Sequence, residues 1–292
     1  MVLFFEAYME RVLSTYRYAK QPLSAPLLND IAQAEFRQIA IYCAPVHFEY
    51  GSQPAVKSAA GLLAEHGIGV FALHSPVERD FAPGRESGVP ISICDLERIR
   101  RIDAMDEVKR ALEVAEQIPF RYLVQHFGSG RQTADPRRMD AGFSSLEHLT
   151  VFAKARGVTI ALENTTDEVG APASLVQFVK ETHLHDLKFC FDAGHAHIEG
   201  GVGPAFEILR ERAAMAELHD NHGERDEHLM PWGGTIDWDE TLDGLAATAE
   251  ALPIVLEVKE QASGAPSLGE MRKMFDRIEK EIEARRKRNA KS

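Results

Sequence analysis

From Val12 onward, short apolar runs alternate with longer amphipathic stretches, and no other feature constrains the fold as strongly. The runs predict strands over Val12–Tyr18, Gln38–Ala44, Gly69–His74, Arg121–His126, Val158–Glu163, Leu187–Asp192, Ala214–Asp220 and Pro253–Val258. Between them, apolar residues at i, i+3 and i+4 predict helices over Pro54–His66, Asp103–Ile118, Asp140–Arg156, Ser174–His183, Trp238–Ala251 and Ser267–Arg285, with a shorter one over Leu27–Phe36. Strands that alternate with helices imply a parallel sheet, because a parallel partner can be reached only by a long crossover. Eight such units in 292 residues suit a closed barrel better than an open sheet.

The expected fold class is therefore α/β, a single (β/α)8 TIM barrel over residues 1–292, since no Pro/Gly/Ser-rich linker divides the chain. The charge run Lys280–Ser292 reads as a solvated helix end, with a charged tail from about residue 285 to 292.

Six successive apolar runs end in a residue able to ligate a metal: His74, His126, Glu163, Asp192, His219 and Glu257. The period of two in a strand turns Ala161 inward with Glu163, Cys190 inward with Asp192, and Val255 inward with Glu257. Ile160 and Leu162 then face the helices, and the ionisable ends converge at the C-terminal mouth of the barrel. Carboxylates crowded there repel one another and resist desolvation, which a divalent cation relieves by neutralising the charge and using the lone pairs. After the seventh run, Asp226 and His228 stand two apart in a loop and could hold one metal together. Trp232-Gly233-Gly234 follows and suits close backbone approach.

Two long segments, Ser75–Ile102 and Gly128–Met139, belong over that mouth. They carry Arg79, Arg85, Arg131, Arg137 and Arg138, any of which could grip an anionic substrate. The formal net charge of −12 argues against nucleic acid as a general partner, because phosphate binding is driven by Lys and Arg. Cys43, Cys94 and Cys190 are odd in number and widely spaced, which gives no disulfide framework and makes a reducing cytoplasm the expected compartment. No apolar run is long enough for a membrane span, and Met1–Glu10 lacks the basic start of a signal peptide.

In the motifs Leu162-Glu163-Asn164-Thr165, Phe191-Asp192-Ala193-Gly194-His195, His219-Asp220-Asn221 and Leu256-Glu257, the chain resembles the xylose isomerase-like barrel superfamily. The resemblance runs from about Val70 to Glu257. That group holds sugar and sugar-phosphate isomerases and epimerases together with endonuclease IV-type nucleases. The resemblance implies Glu163, Asp192, His219 and Glu257 as ligands of one divalent metal (Mn2+, Zn2+ or Co2+), with Glu163 and Glu257 also moving protons at a carbon beside a carbonyl. It places His195 near the substrate. In the nuclease branch, which uses up to three Zn2+, the additional ligands resemble His74, His126, His195, Asp226 and His228.

Two features weigh against DNA: Val77 stands where a bulky wedge is expected, and Pro45–Tyr50 has no Lys or Arg. Gly234-Thr235-Ile236-Asp237-Trp238 is similar to the sugar-converting members. The resemblance thus implies a small carbohydrate substrate and a homo-oligomer, while Arg131 of the long mouth segment and Trp232 beside the paired glycines are expected as further substrate contacts. A barrel that only binds a sugar or a metal is a third reading, against which the pair Glu163 and Glu257 argues.

Overall fold

The structure, a computed structural model, describes residues 9–79, 88–130, 132–259, 264 and 266–290. Among the described residues eight strands form the barrel, β1 (Arg11–Ser14), β2 (Gln38–Tyr42), β3 (Gly69–His74), β4 (Tyr122–His126), β5 (Thr159–Glu163), β6 (Lys188–Asp192), β7 (Ala213–Leu218) and β8 (Ile254–Leu256), and Glu78–Arg79 pairs antiparallel with Val89–Pro90 outside it. Each barrel strand pairs in parallel with its sequence neighbours, and β8 pairs with β1, so the sheet closes into a barrel. The eight expected strands are all found, several of them shorter by up to four residues at an end, while β1 and β7 begin one residue earlier than expected.

The helices are α1 (Ala25–Gln33), α2 (Gln53–Glu65), α3 (Arg98–Glu113), α4 (Pro136–Lys154), α5 (Pro172–Thr182), α6 (Ala193–Ile198), α7 (Val202–Leu209), α8 (Trp238–Ala246) and α9 (Leu268–Asn289). Their starts follow capping chemistry. Asp135 accepts from the amides of Arg137 and Arg138 with Pro136 in the first turn of α4, and Ser267 with Glu270 forms a capping box on α9. The α6–α7 segment was not foreseen as helical. The last helix continues through the charge run to Asn289, and Arg285 is buried there, ion-paired with Asp239 and Asp243 of α8 and with Glu281.

The core has two layers, as the alternation requires. Val12, Ala40, Ala72, Val124, Ala161, Cys190, Met215 and Val255 fill the barrel axis, with Phe71 among them. Ile39, Ile41, Leu73, Leu123, Ile160, Leu162, Phe189, Phe191, Ile254 and Leu256 belong to the outer layer beneath the helices. Mostly small axial residues leave the upper end of the barrel to the polar strand ends. Among the described residues, no helix is long and apolar enough to cross a membrane.

Candidate metal centre

His74, His126, Glu163 and Asp192 are the last residues of β3, β4, β5 and β6. His219 and Glu257 follow directly on β7 and β8. All six therefore stand at the C-terminal face, where a parallel barrel presents its functional side chains. Register helps: Glu163 lies opposite His126 on one side and Cys190 on the other. Asp192 is both a strand end and the cap of α6, its Oδ1 accepting from the His195 amide at 2.6 Å. That turn brings His195 back over the site. A side chain at Gly194 would strike the His219 ring, so glycine is what lets His219 approach β6.

The loop after β7 carries Asp226 and His228 back to the mouth, and Asp220 holds it there. This fully buried carboxylate accepts from the amides of Asn221 (2.8 Å) and Ile236 (3.1 Å) and from the Trp238 indole (2.8 Å). Asn221 in turn donates to the Gly194 carbonyl at 2.9 Å. Thus Asp220 and Asn221 organise the loop, while His219 and His228 stack with ring centroids 4.0 Å apart.

Among the described residues, three sets of potential ligands converge: His74 with His126 and Glu163; Glu163 with Asp192 and His195; and His219 with Asp226 and His228. Within each set the ligand atoms lie within 4.8 Å of one another. Glu163 Oε2 is 3.2 Å from His74 Nε2 and 3.0 Å from His126 Nε2, and its Oε1 is 3.0 Å from His195 Nδ1. Asp192 Oδ2 is 3.0 Å from His219 Nε2. Asp226 Oδ2 is 2.8 Å from His228 Nε2 and 3.4 Å from His195 Nε2. Glu257 stands outside these sets. Its Oε2 accepts from Ser14 Oγ at 2.8 Å, and its Oε1 is 3.9 Å from His228 Nδ1.

The electrostatics are those of buried acids neutralised by imidazoles. Burial alone would push the Glu163 carboxyl up, but His126, His195 and His74 outweigh it and hold it well below the usual range. Asp192 and Asp226 are also lowered: burial opposes ionisation, and His195 with His219, or His195 with His228, overrides it. Reciprocally, burial disfavours the charged His74, yet Glu163 raises it to about 9. His195 and His219 are raised as well, against burial, chiefly by Asp192.

The residues fit a divalent metal on two observations. The donor set is carboxylate and imidazole in convergent groups, as zinc and related ions require. In addition, His74 Nδ1 lies 2.8 Å from the Ser75 carbonyl and His228 Nδ1 lies 3.1 Å from the Glu257 carbonyl, which fixes these rings with Nε2 facing the carboxylates.

A pH prediction follows for the chain stripped of metal. A group raised on folding stabilises the fold fully below its unfolded value and loses that contribution as pH climbs through the folded one. For His74 the window runs from its ordinary 6.5 to about 9. The lowered acids lose theirs only on acidification, outside this window. Thermal unfolding in chelator should therefore show a midpoint that falls as pH rises across the window. A midpoint that rises there would mean that His74 is not paired with Glu163.

Sequence reasoning gave no role to Glu217, which the structure buries in the barrel interior. It is 1% exposed, with Oε2 lacking a hydrogen-bond partner. Burial, then the charges of Glu257, Glu163 and Asp192, push its carboxyl well above the usual carboxylate range. The signal was available, since Glu217 lies two residues before His219 on the same face of the strand.

Arg85 and Arg131 lie outside the described residues. Arg79 pairs with Asp103 at 2.9 Å, and Arg138 with Asp135 at 3.8 Å. Arg137 is largely exposed, its Nε 4.0 Å from Asp135. Trp232 stacks on Trp238 (5.0 Å between centroids) beneath the Arg277 guanidinium, so its ring engages α8 and α9. Aromatic walls come instead from Tyr16, 4.7 Å from His228, and Tyr42, 5.0 Å from His74.

Comparison with known proteins agrees with this architecture. A protein of Methanocaldococcus jannaschii described as uncharacterized is 27% identical over 228 residues, covering 75% of this chain and 73% of that protein. Among solved structures, a D-tagatose 3-epimerase-like protein superposes with a TM-score of 0.75 at 22% identity, over 97% of this chain and all of the other. The IOLI protein with a zinc atom superposes with a TM-score of 0.75 at 15% identity, over 94% and 98% of the two chains. Residues 28–281 match the model of the xylose isomerase-like TIM barrel family, and with a closed eight-stranded barrel bearing acidic and imidazole side chains at its strand ends, the chain belongs to that family.

Proposed function

We propose that this chain is a divalent-metal-dependent isomerase or epimerase of a sugar, sugar phosphate or related polyol, moving a proton at a carbon next to a carbonyl. The observation that carries the reading is the contrast between its two mouth glutamates. Glu163 is enclosed by three imidazoles, whereas Glu257 accepts from Ser14 Oγ at one oxygen and has its other oxygen 3.9 Å from His228 Nδ1. Two buried carboxylates in different environments suit the two halves of a proton relay.

Glu163, Asp192, His219 and Glu257 would hold the ion, which supplies polarisation of the substrate carbonyl and so makes the adjacent C–H more acidic. Glu257 would take the proton from carbon as the base, and Glu163 would return one to carbon after receiving it from His195, whose Nδ1 lies 3.0 Å from Glu163 Oε1; Glu257 then releases its proton to solvent and His195 regains one before the next turnover. His195, close to Glu163, Asp192 and Asp226, orients a substrate hydroxyl. Tyr16 and Tyr42 wall the mouth and limit water access. The zinc in the IOLI structure and the epimerase-like neighbour support this reading through a shared fold. Turnover on a panel of ketoses, inososes and 3-keto sugars with added Mn2+ or Co2+ tests it; saturable sugar binding without turnover would favour a binding protein instead.

The hydrogen bond from Ser14 to Glu257 makes Ser14 a positioning residue. Ser14→Ala should lower kcat about tenfold, the worth of a hydrogen bond to a charged group, with little change in KM. An equal rise in KM at constant kcat would mean that Ser14 serves binding and not the base.

A second reading is kept by a specific observation: the three ligand sets include His74, His126, Asp226 and His228, more than a single ion needs. It is a trinuclear zinc phosphodiesterase of the endonuclease IV type. An abasic-site oligonucleotide assayed beside the sugar panel separates the two.

A further inference from the structure

Among the described residues, four that are not glycine adopt a left-handed backbone: Glu35, His183, His228 and Trp232. Glu35 and His183 stand at the ends of α1 and α5, where a left-handed residue is an ordinary way to stop a helix. His228 (φ 49°) and Trp232 (φ 66°) follow no helix and lie in the loop after β7. Such a backbone costs free energy in any residue that carries a Cβ. Glycine is at hand, since Gly233 and Gly234 come next, yet neither of them takes the left-handed backbone. A Cβ on either would strike a carbonyl oxygen, of Met230 or of Asn221, so these glycines serve close packing instead.

The strain persists because contacts at both ends of the segment 228–232 enforce it. At the near end, the His228 carbonyl accepts from the Lys259 amide at 2.9 Å, its Nδ1 lies 3.1 Å from the Glu257 carbonyl, and its ring stacks on His219. Between the ends, Leu229 exchanges two backbone hydrogen bonds of 2.8 Å with Asp220, and Pro231 is buried with its φ fixed by the ring. At the far end, the Trp232 ring lies on Trp238, whose indole donates to Asp220, and beneath Arg277 of α9, with Cζ 3.6 Å from the ring centroid.

We propose that Trp232 and Arg277 are positioning residues for the centre. Their stack against α8 and α9 fixes the left-handed turn at Trp232 and, through the short segment before it, the pose of His228 beside His219 and Glu257. Without the stack the segment relaxes toward an ordinary backbone, and His228 withdraws from both neighbours. The inference rests on the metal reading of the mouth and extends it to two residues that act through His228.

The test is calorimetric titration of the full chain with Zn2+, after chelator treatment and dialysis. Trp232→Gly accepts the left-handed backbone but removes the ring, and should weaken Zn2+ binding about tenfold, the combined worth of an aromatic pair and a cation–π contact. Trp232→Phe keeps a ring in the stack and should recover binding to within about threefold of the wild type. Arg277 is exposed, so Arg277→Ala leaves the core intact and should weaken binding about two- to fivefold, with recovery in Arg277→Lys. The arginine pair decides the matter if Trp232→Gly does not fold.

Wild-type Zn2+ affinity in both Trp232→Gly and Arg277→Ala overturns the proposal, even where their unfolding midpoints fall, because the stack then serves stability alone. So does a loss in Trp232→Phe as large as in Trp232→Gly. Failure of the metal reading is seen separately: the wild-type chain then takes up no Zn2+, and this proposal falls with it.

Discussion

Glu257→Gln is expected to lower kcat by about 10²–10⁴-fold, the range for loss of a positioned general base, while leaving the fold in place. The amide has nearly the shape of the carboxylate and can still accept from Ser14 Oγ, which now donates to Glu257 Oε2 at 2.8 Å. Its oxygen remains able to ligate, so much of the metal should stay bound, but it cannot take a proton from carbon. Turnover and metal content measured on one preparation separate the two roles. Near-normal kcat on a true substrate would show that Glu257 is not the base. Loss of metal in parallel with activity would recast it as a ligand alone.

Asp192→Asn is expected to strip the centre. Asp192 is buried and does two things at once: Oδ1 caps α6 through the His195 amide, and Oδ2 faces His219 Nε2 at 3.0 Å. The asparagine oxygen can keep the cap, so the substitution isolates the charge. His219 and His195 lose their main anionic partner, and leaving a buried charge unpaired costs about 3–5 kcal/mol. The imidazoles will shed protons in response, which reduces that cost at higher pH. Metal-free unfolding should therefore show a larger loss of stability below the imidazole range than above it, together with a sharp fall in metal retention. Metal content equal to that of the wild type would remove Asp192 from the ligand set.

The sequence made the barrel legible because one physical rule, alternation along buried parallel strands, operates at every strand. The residues expected to face inward, Ala161, Cys190 and Val255, are in the axial cluster. The helices between β6 and β7 were harder to see. Gly200, Gly201 and Pro204 look like breakers, yet Pro204 falls in the first turn of α7, where its missing amide is not needed. Val202, Ala205, Phe206 and Leu209 then repeat at helical spacing and are buried.

Within the candidate centre, the convergence of the strand-end side chains could be read because the pleat fixes where they point. Beyond the strand ends the pleat stops, and neighbouring polar residues cannot be told apart. Thus His219 faces the mouth while Asp220, the next residue, turns away to hold the loop amides and Trp238. The return of Asp226 and His228 to the mouth depends on that same network, and no local pattern encodes it.

The most direct test of the central claim is metal content per chain, measured by mass spectrometry on protein purified without chelator or a metal-charged affinity step. The account predicts one Mn2+, Co2+ or Zn2+ per chain, held by Glu163, Asp192, His219 and Glu257 and retained through gel filtration. Three zinc ions per chain would overturn the isomerase reading in favour of phosphoester hydrolysis. No bound metal, with no uptake of added Zn2+, Mn2+ or Co2+, would contradict the metal centre itself.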